Sequence, residues 1–141
     1  MSEITIGTAL ELPEGVFNVV GQWRYRGTGL HWSLFELDDG EGQTQLLAQV
    51  DEDYYRPRWE TIDALPEQET LELEGVRYAL RQHGEARVER STADEHDFWL
   101  AEFRQYVTPG RIAIFTRDRD EIHRLLGEEL DGKLVQVYAQ S

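Results

Sequence analysis

The residues of this chain best suited to acid–base or metal chemistry are its histidines and its many carboxylates. No two histidines stand four residues apart, so the H-E-x-x-H spacing with which a helix presents a zinc site does not occur. One histidine lies in the acidic run 94–97, but consecutive carboxylates diverge and rarely converge on one ion. We therefore expect no metal site and no cofactor. The histidines are His31, His83, His96 and His123.

The motifs of well-known catalytic classes are missing from the sequence. It contains no G-x-S-x-G elbow, no Walker loop, no G-x-G-x-x-G segment and no cysteine. Two acidic motifs, at 51–53 and 118–120, are similar to the start of a calcium-binding loop, but neither has the glycine required at its sixth position. The sequence predicts no catalytic residue and leaves open whether the chain is an enzyme. A hydrolase that uses paired carboxylates remains an alternative, because 28 residues are acidic.

The segment 54–59 combines aromatic and arginine side chains in an unusual cluster. Arginine stacks on aromatic faces for about 0.5–2 kcal/mol, and tyrosine, tryptophan and arginine dominate binding hot spots. The cluster is therefore either a docking patch or a structural element, in which Tyr55 and Trp59 close one end of the fold and the arginines pair with acids. The candidate binding residues are Tyr54, Tyr55, Arg56, Arg58 and Trp59.

The charge balance limits the classes of partner. The formal net charge is −14, from 28 acidic and 14 basic residues, and phosphate binding requires clustered basic side chains instead. We expect no nucleic-acid partner. The acids are scattered along the chain, which favours a solvated acidic surface, with a face for a basic partner as the alternative.

Size and hydropathy predict a single soluble domain. The chain has 141 residues, a common length for one domain, and we take 1–141 as one unit. Its first residues lack the basic and apolar regions of a signal peptide, and no apolar run reaches the roughly 20 residues of a membrane span. We expect a cytoplasmic protein with no direct membrane insertion; the sequence leaves its oligomeric state open.

Alternating apolar and polar residues predict β-strands over most of the chain. The clearest example is Val16–Tyr25, followed by a turn with two glycines, a strand at Leu30–Leu37 that is apolar on both faces, and a third strand at Gln45–Val50. Short turns between them indicate an antiparallel meander. The stretch 51–68 is predicted as a loop with one helical turn around 59–65.

The second half repeats the strand pattern and adds one predicted helix. Strands are expected at 69–73, 76–82, 86–90, 98–106, 111–115 and 133–138, with Gly84 in a turn and a polar loop at 91–97. The spacing of Asp118 and Glu121 matches a capping box, apolar residues recur with helical spacing, and Gly127 stands where a helix ends. The sequence predicts a short helix near 118–126, with His123 on its solvated side.

The two halves resemble each other weakly, which suggests two pseudo-repeated meanders at 10–66 and 69–138. Gly15 corresponds to Gly75, and the segment 47–53 to the segment 114–120, so that Asp51 matches Asp118. Neither half has enough strands to bury its own apolar face. The predicted fold is mainly β, an antiparallel sandwich or partly closed barrel.

The segment Trp32-Ser33-Leu34-Phe35-Glu36-Leu37-Asp38-Asp39 resembles the motif W-x-E-Y-x-L-x-D of a bacterial family, domain of unknown function 4178. The family glutamate falls at Leu34 and its tyrosine at Phe35, so two polar groups of the motif are absent here. The resemblance implies a β-rich cytosolic domain and no assigned reaction. The motif residues, to which we assign a structural role, are Gly15, Phe17, Trp32, Phe35, Leu37 and Asp39.

Three functions remain open from the sequence. A non-catalytic cytosolic interaction module with an unidentified protein partner is favoured, because the chain has a good core and no catalytic motif. A small-ligand-binding β-barrel is the first alternative, since aromatic side chains could line its interior. The carboxylate-dependent hydrolase is the second.

Overall fold

The computed structural model describes residues 4–27 and 29–138, and β-strands make up most of them. All of the strand pairings are antiparallel, and they join the strands into one sheet. The strands are β1 (Ala9–Leu12), β2 (Gly15–Gly27), β3 (Leu30–Asp38), β4 (Thr44–Val50), β5 (Asp53–Ile62), β6 (Thr70–Leu73), β7 (Val76–Thr92), β8 (His96–Thr108), β9 (Arg111–Asp118), β10 (Glu121–Leu130) and β11 (Gln136–Tyr138), with a 3-10 turn at Gly132–Leu134.

The sheet is ring-like in part. The strands β2–β3–β4–β5 form one meander and β7–β8–β9–β10 form another. Two seams join the meanders, because β2 pairs with β7 and β5 pairs with β10. Outside the ring, β1 pairs with β2 and β11, and β6 pairs with β7. The predicted antiparallel β-rich fold is confirmed.

Apolar side chains from both meanders share the interior of the ring. Tyr25 and Trp32 stack there with ring centroids 4.6 Å apart, and Phe103 packs against Trp32 at 5.1 Å. Two smaller apolar clusters lie on other faces of the same strands, one beside β1 and one beside β6. Strands that are covered on both faces are apolar at successive positions, as expected for β3. The buried members of the central cluster are Tyr25, Leu30, Trp32, Leu34, Ala48, Val50, Ala86, Val88, Ala101, Phe103, Ile112, Ile114 and Leu125.

The helix predicted near 118–126 is wrong, because this segment is a β-hairpin. Asp118 ends β9 and pairs with Glu121, the first residue of β10, around the two-residue turn Arg119-Asp120. A two-residue hairpin places residues i and i+3 opposite each other, so it shares the spacing of a capping box. Arg119 takes the positive φ of 59° that usually favours glycine, which removes the sequence signal of the turn.

The residues assigned to that helix have other roles in the hairpin. Leu125 faces the ring interior and Leu126 lies in the cluster beside β6, so apolar residues on two covered faces produced the helical spacing. Gly127 is buried inside β10 and ends no helix. His123, expected in solvent, is only 5% exposed.

Four other predictions differ from the structure. The loop predicted at 51–68 is wrong for its first part, which forms β5 and pairs with β10 from Ile122 to Leu130. Gly84 lies within β7, where it has a φ of 149°, and not in a turn between two strands. The predicted polar loop 91–97 shortens to the connection between Thr92 and His96, and the last predicted strand is divided into the 3-10 turn and β11.

The two halves have the same order of strands, β1–β5 and β6–β10. In each half the fourth and fifth strands meet at a two-residue turn whose first residue has positive φ, 54° at Asp51 and 59° at Arg119. Asp51 therefore corresponds to Arg119 in the turns, one residue away from the match with Asp118 that the sequence suggested. Duplication of the halves stays a prediction.

Within the described residues, no helix is long and apolar enough to cross a membrane.

Candidate binding pocket

A buried carboxylate, Asp118, lies at one end of the ring interior. The alternation along β9 that turns Ile112 and Ile114 inward also turns Asp118 inward, and this residue is only 5% exposed. Its oxygens accept hydrogen bonds from Trp99 Nε1 at 2.9 Å and Thr116 Oγ1 at 2.7 Å. The Tyr25 hydroxyl donates to Oδ2 at 3.2 Å. Neutral donors from three strands thus surround the carboxylate.

These donors keep Asp118 ionised. Burial alone would raise its pKa, but hydrogen bonds from His123, Thr116 and Trp99 outweigh that penalty, so the pKa lies below its usual value. Burial, together with the nearby negative charge, raises the pKa of Tyr25 well above its usual value, so this phenol remains a donor. The carboxylate is an acceptor that is already committed to partners of the chain itself.

His123 is a buried imidazole beside Asp118. Its Nδ1 lies 3.2 Å from Asp118 Oδ2, and its Nε2 lies 3.0 Å from Glu121 Oε2. Because both ring nitrogens face carboxylate oxygens, this arrangement favours the doubly protonated imidazolium, in which both nitrogens donate. The hydrogen bond that His123 donates to Asp118 raises the pKa of His123, against the opposing effect of burial. Glu121 is different from Asp118, because its side chain is 68% exposed.

Three tryptophans surround this ion pair. Trp59 of β5 stacks on the His123 ring, with centroids 4.7 Å apart and planes inclined by 26°. Trp23 of β2 presents an edge to the same imidazole at 6.4 Å and meets Trp99 of β8 at 5.6 Å, nearly perpendicular. The indoles shield the ion pair from water and provide large apolar surfaces beside it.

Two arginines stack on these tryptophans. Arg119 lies 4.5 Å above the Trp99 ring and pairs with Asp97. Arg90 lies 5.0 Å above the Trp23 ring and 3.5 Å from Glu36, which also accepts a hydrogen bond from Trp23 Nε1 at 2.8 Å. The Nε atom of Arg90 is buried and has no hydrogen-bond partner among residues 4–27 and 29–138.

These side chains enclose a pocket of about 370 Å³. Volume alone does not select it, since a hollow of about 540 Å³ lies beside the 62–68 segment. The smaller pocket differs by containing a desolvated ion pair, and groups with perturbed pKa values concentrate at functional sites. No group of three or more His, Asp or Glu residues in the described part of the chain is placed to hold a metal ion. The lining residues are Trp23, Arg90, Asp97, Trp99, Asp118, Arg119, Asp120, Glu121 and His123.

Comparison with known proteins identifies the family. The sequence profile of the family described as Domain of unknown function (DUF4178) matches residues 5–132. The chain belongs to this family. No curated protein and no solved structure matches it. The family carries no assigned activity.

The family motif residues lie mainly in the core of this DUF4178 domain. Phe17, Phe35 and Leu37 are buried in the cluster beside β1, and Trp32 stacks on Tyr25, which donates to Asp118. Gly15 opens β2 with a φ of 145°. The Asp39 carboxylate accepts hydrogen bonds from the backbone N–H groups of Glu41 and Gln43, at 2.7 and 3.2 Å, and so shapes the hairpin turn after β3.

The predicted binding cluster 54–59 is divided between different surroundings. Tyr54 packs against the cluster beside β1, whereas Tyr55 and Trp59 pack against the ring interior. Arg56 pairs with Glu14, and Arg58 pairs with Glu74. Of these residues, the structure brings only Trp59 to the pocket, through its contact with His123.

Sequence reasoning missed Asp118 and His123 as a site. One signal was available, because the alternation of Ile112, Ile114 and Thr116 along β9 continues to Asp118. A charged residue in register with a buried face requires partners, and it is therefore a candidate for function. The false helix concealed this signal, because it began at Asp118.

Proposed function

We propose that this domain binds a small organic ligand in the Asp118–His123 pocket without catalysing a reaction. The proposed ligand has a flat apolar part and an anionic group such as a carboxylate. The observation that supports it is the arrangement at His123, a buried imidazolium held on one side by a buried acid and on the other by an exposed one.

The exposed partner makes an exchange of anions feasible. Glu121 can turn into water at little cost, because its side chain is already 68% exposed. A ligand carboxylate could then accept the Nε2 proton of His123 in its place. Arg90 lines the same pocket and has a buried Nε donor without a partner among the described residues, which is a second donor for an acceptor atom. A hydrogen bond to a charged group contributes about 1.5–3 kcal/mol.

The apolar part of the ligand would lie against the indoles. Trp23 and Trp99 line the pocket with their ring planes nearly perpendicular. A flat ligand could therefore contact the face of one indole and the edge of the other. The cavity of about 370 Å³ lies at the lower end of the usual range for small-molecule sites, roughly 300–1,000 Å³. A single aromatic acid is therefore a suitable size.

Asp118 argues against a carboxylate-dependent hydrolase at this site. A catalytic acid must hold a proton and deliver it to the substrate. Asp118 is instead kept ionised by its hydrogen bonds, and its oxygens already face Tyr25, Trp99, Thr116 and His123. The neighbouring carboxylate, Glu121, is largely solvated, with 68% of its side chain exposed.

A protein-interaction module is the second candidate, and one observation favours it. Phe98 and Leu100 of β8 are 47% and 66% exposed on the outside of the sheet. Large apolar side chains that are exposed side by side are typical of interaction sites. Both functions are compatible with a cytoplasmic location, which stays a prediction from the sequence.

The ligand proposal is tested by NMR titration of the isotopically labelled chain with benzoate and, separately, with benzylammonium. We expect benzoate to shift the indole signals of Trp23 and Trp99, and benzylammonium to leave them in place. His123→Gln should weaken benzoate binding about tenfold or more. The exposed His83 on β7 supplies the control, since His83→Gln should bind benzoate like the unchanged chain.

A second variant keeps the test decisive if His123→Gln unfolds. Glu121→Ala removes the competing carboxylate from an exposed position, so benzoate affinity should rise by about two- to fivefold, the equivalent of roughly 0.5–1 kcal/mol for an exposed ion pair. Glu128→Ala, on the same strand and equally exposed, should change nothing. The proposal fails if Glu121→Ala binds benzoate no better than Glu128→Ala, or if the cation binds in preference to the anion.

A further inference from the structure

The outer face of the sheet carries an unusual row of side chains across four strands. Antiparallel register aligns His31 of β3 with Arg26 of β2, Arg26 with Arg87 of β7, and Arg87 with Leu100 of β8. All four are exposed. Their neighbours in sequence point inward, so Trp99 belongs to the pocket while Leu100 faces the outside.

Phe98 extends this row into an apolar and basic surface. The guanidinium of Arg87 lies 5.4 Å above the Phe98 ring. The imidazole of His96 also packs against Phe98, with ring centroids 4.5 Å apart. Phe98 and Leu100 lie on the same side of β8, two residues apart. We call the surface formed by Arg26, Arg87, Phe98 and Leu100 the outer patch.

Two arginines occupy directly opposite positions in the outer patch. Arg26 and Arg87 are directly opposite across the seam of β2 and β7, an arrangement that destabilises a sheet. Neither forms an ion pair with a carboxylate among the described residues. Glu89, directly opposite Arg24 on the next row, attracts Arg26 electrostatically, but its carboxylate is hydrogen-bonded to His96 at 2.7 Å. An anion from outside the chain would relieve this repulsion.

We propose that the outer patch binds an acidic segment of another protein that also contains apolar side chains. The paired guanidinium groups match carboxylates, which arginine binds in a planar, two-pronged geometry. Phe98 and Leu100 match the apolar side chains between those acids. This interaction is separate from the pocket and does not depend on the proposed ligand.

The overall charge of the chain decides between the occupants. Two copies of a chain with net charge −14 repel each other, which disfavours self-association through this patch. Nucleic acid and anionic membranes require broad basic surfaces, and the same net charge opposes them. A short acidic segment that contacts only the patch avoids most of this repulsion.

The probe is a short fluorescent peptide of alternating glutamate and leucine, with binding followed by fluorescence anisotropy at low salt. We expect the folded chain to bind this peptide, and to bind neither a lysine–leucine peptide nor a glutamate–serine peptide. Affinity should fall when salt is raised, because screening weakens exposed charge pairs.

The variant Arg26→Glu separates binding from folding. It replaces the like-charged pair with an opposite pair, so the melting temperature should stay equal or rise, while peptide affinity should fall about tenfold. The exposed Arg77 on the same strand as Arg87 provides the matched control, and Arg77→Glu should bind normally. Leu100→Ser should also weaken binding.

Four outcomes would overturn the proposal. The first is that Arg26→Glu binds the glutamate–leucine peptide as tightly as the unchanged chain does, and the second is that the lysine–leucine peptide binds as tightly as the glutamate–leucine peptide. The third is that phosphatidylserine vesicles or duplex DNA bind more tightly than the acidic peptide. The fourth is that sedimentation shows a dimer that Arg26→Glu dissociates. The last two would assign the outer patch to a membrane, nucleic acid or a second copy.

Discussion

Replacing Asp118 by asparagine should remove a large part of the stability of this domain. The change keeps the shape of the side chain but removes its charge and one of its two acceptor oxygens. Asp118 accepts hydrogen bonds from Trp99, Thr116, Tyr25 and His123, so an amide cannot satisfy all four donors. The amide nitrogen of asparagine is itself a hydrogen-bond donor, so it would face another donor where a carboxylate oxygen now accepts.

The magnitude follows from removing the buried carboxylate that faces His123 Nδ1. Removing one member of a buried ion pair costs about 3–5 kcal/mol, and each lost hydrogen bond to a charged group costs about 1.5–3 kcal/mol. These costs overlap, because His123 contributes to both. We expect the free energy of unfolding to fall by about 3–5 kcal/mol near neutral pH.

Urea unfolding, followed by circular dichroism, measures this effect. Asp120→Asn serves as the control, because Asp120 is the exposed residue of the adjoining turn and its change should stay within about 0.5 kcal/mol. A double-mutant cycle with His123→Gln should give a coupling above about 1 kcal/mol. Equal losses in Asp118→Asn and Asp120→Asn, or additive effects in the cycle, would refute the idea of a coupled buried pair.

Two further predictions concern the pair and the strand that carries it. The stability lost in His123→Gln should be larger at about pH 6 than at about pH 9. The pKa of His123 is raised by folding, so its contribution to stability is complete below the unfolded-state pKa of about 6.5 and is lost as pH rises through the folded-state pKa. Urea titrations that show the reverse trend would contradict this prediction. Gly127→Ala should cost about 1–3 kcal/mol in the same assay, because its Cβ would lie 2.9 Å from Tyr55 Cβ. Unchanged stability of Gly127→Ala would mean that the close contact of β5 and β10 is mistaken.

Local patterns in the sequence were sufficient for β2, β3 and β4 of the first meander. Phe17, Val19 and Tyr25 alternate along β2 and are all buried, and short glycine turns set the hairpins that follow. Each of these features depends on residues close together in the chain, so a single sequence contains the information. The predicted limits of β3 and β4 consequently lie within one residue of those observed.

The pocket could not be assembled in this way. Tyr25 and Asp118 are 93 residues apart in the chain, and they meet only because the seam of β2 and β7 and the pairing of β8 with β9 bring their strands together. Alternation shows which face a side chain takes, but it does not show which distant strand lies beside it. The hairpin at Arg119 was a local failure, since an arginine at a φ of 59° gives no turn signal.

The linkage of the two meanders has a consequence for how the chain could be divided. Residues 63–69 connect β5 to β6, and they are the covalent link between the two meanders. The meanders are also held together by backbone pairing, and the seam of β5 and β10 contains nine residue pairs. Cleavage within 63–69 would leave two fragments, each with an apolar face that the other fragment normally covers. The two fragments could pair again along both seams. The domain could therefore be supplied as two polypeptides that become ordered only on meeting, and the fluorescence of Trp23, Trp59 and Trp99, which come from both fragments, would report their reunion.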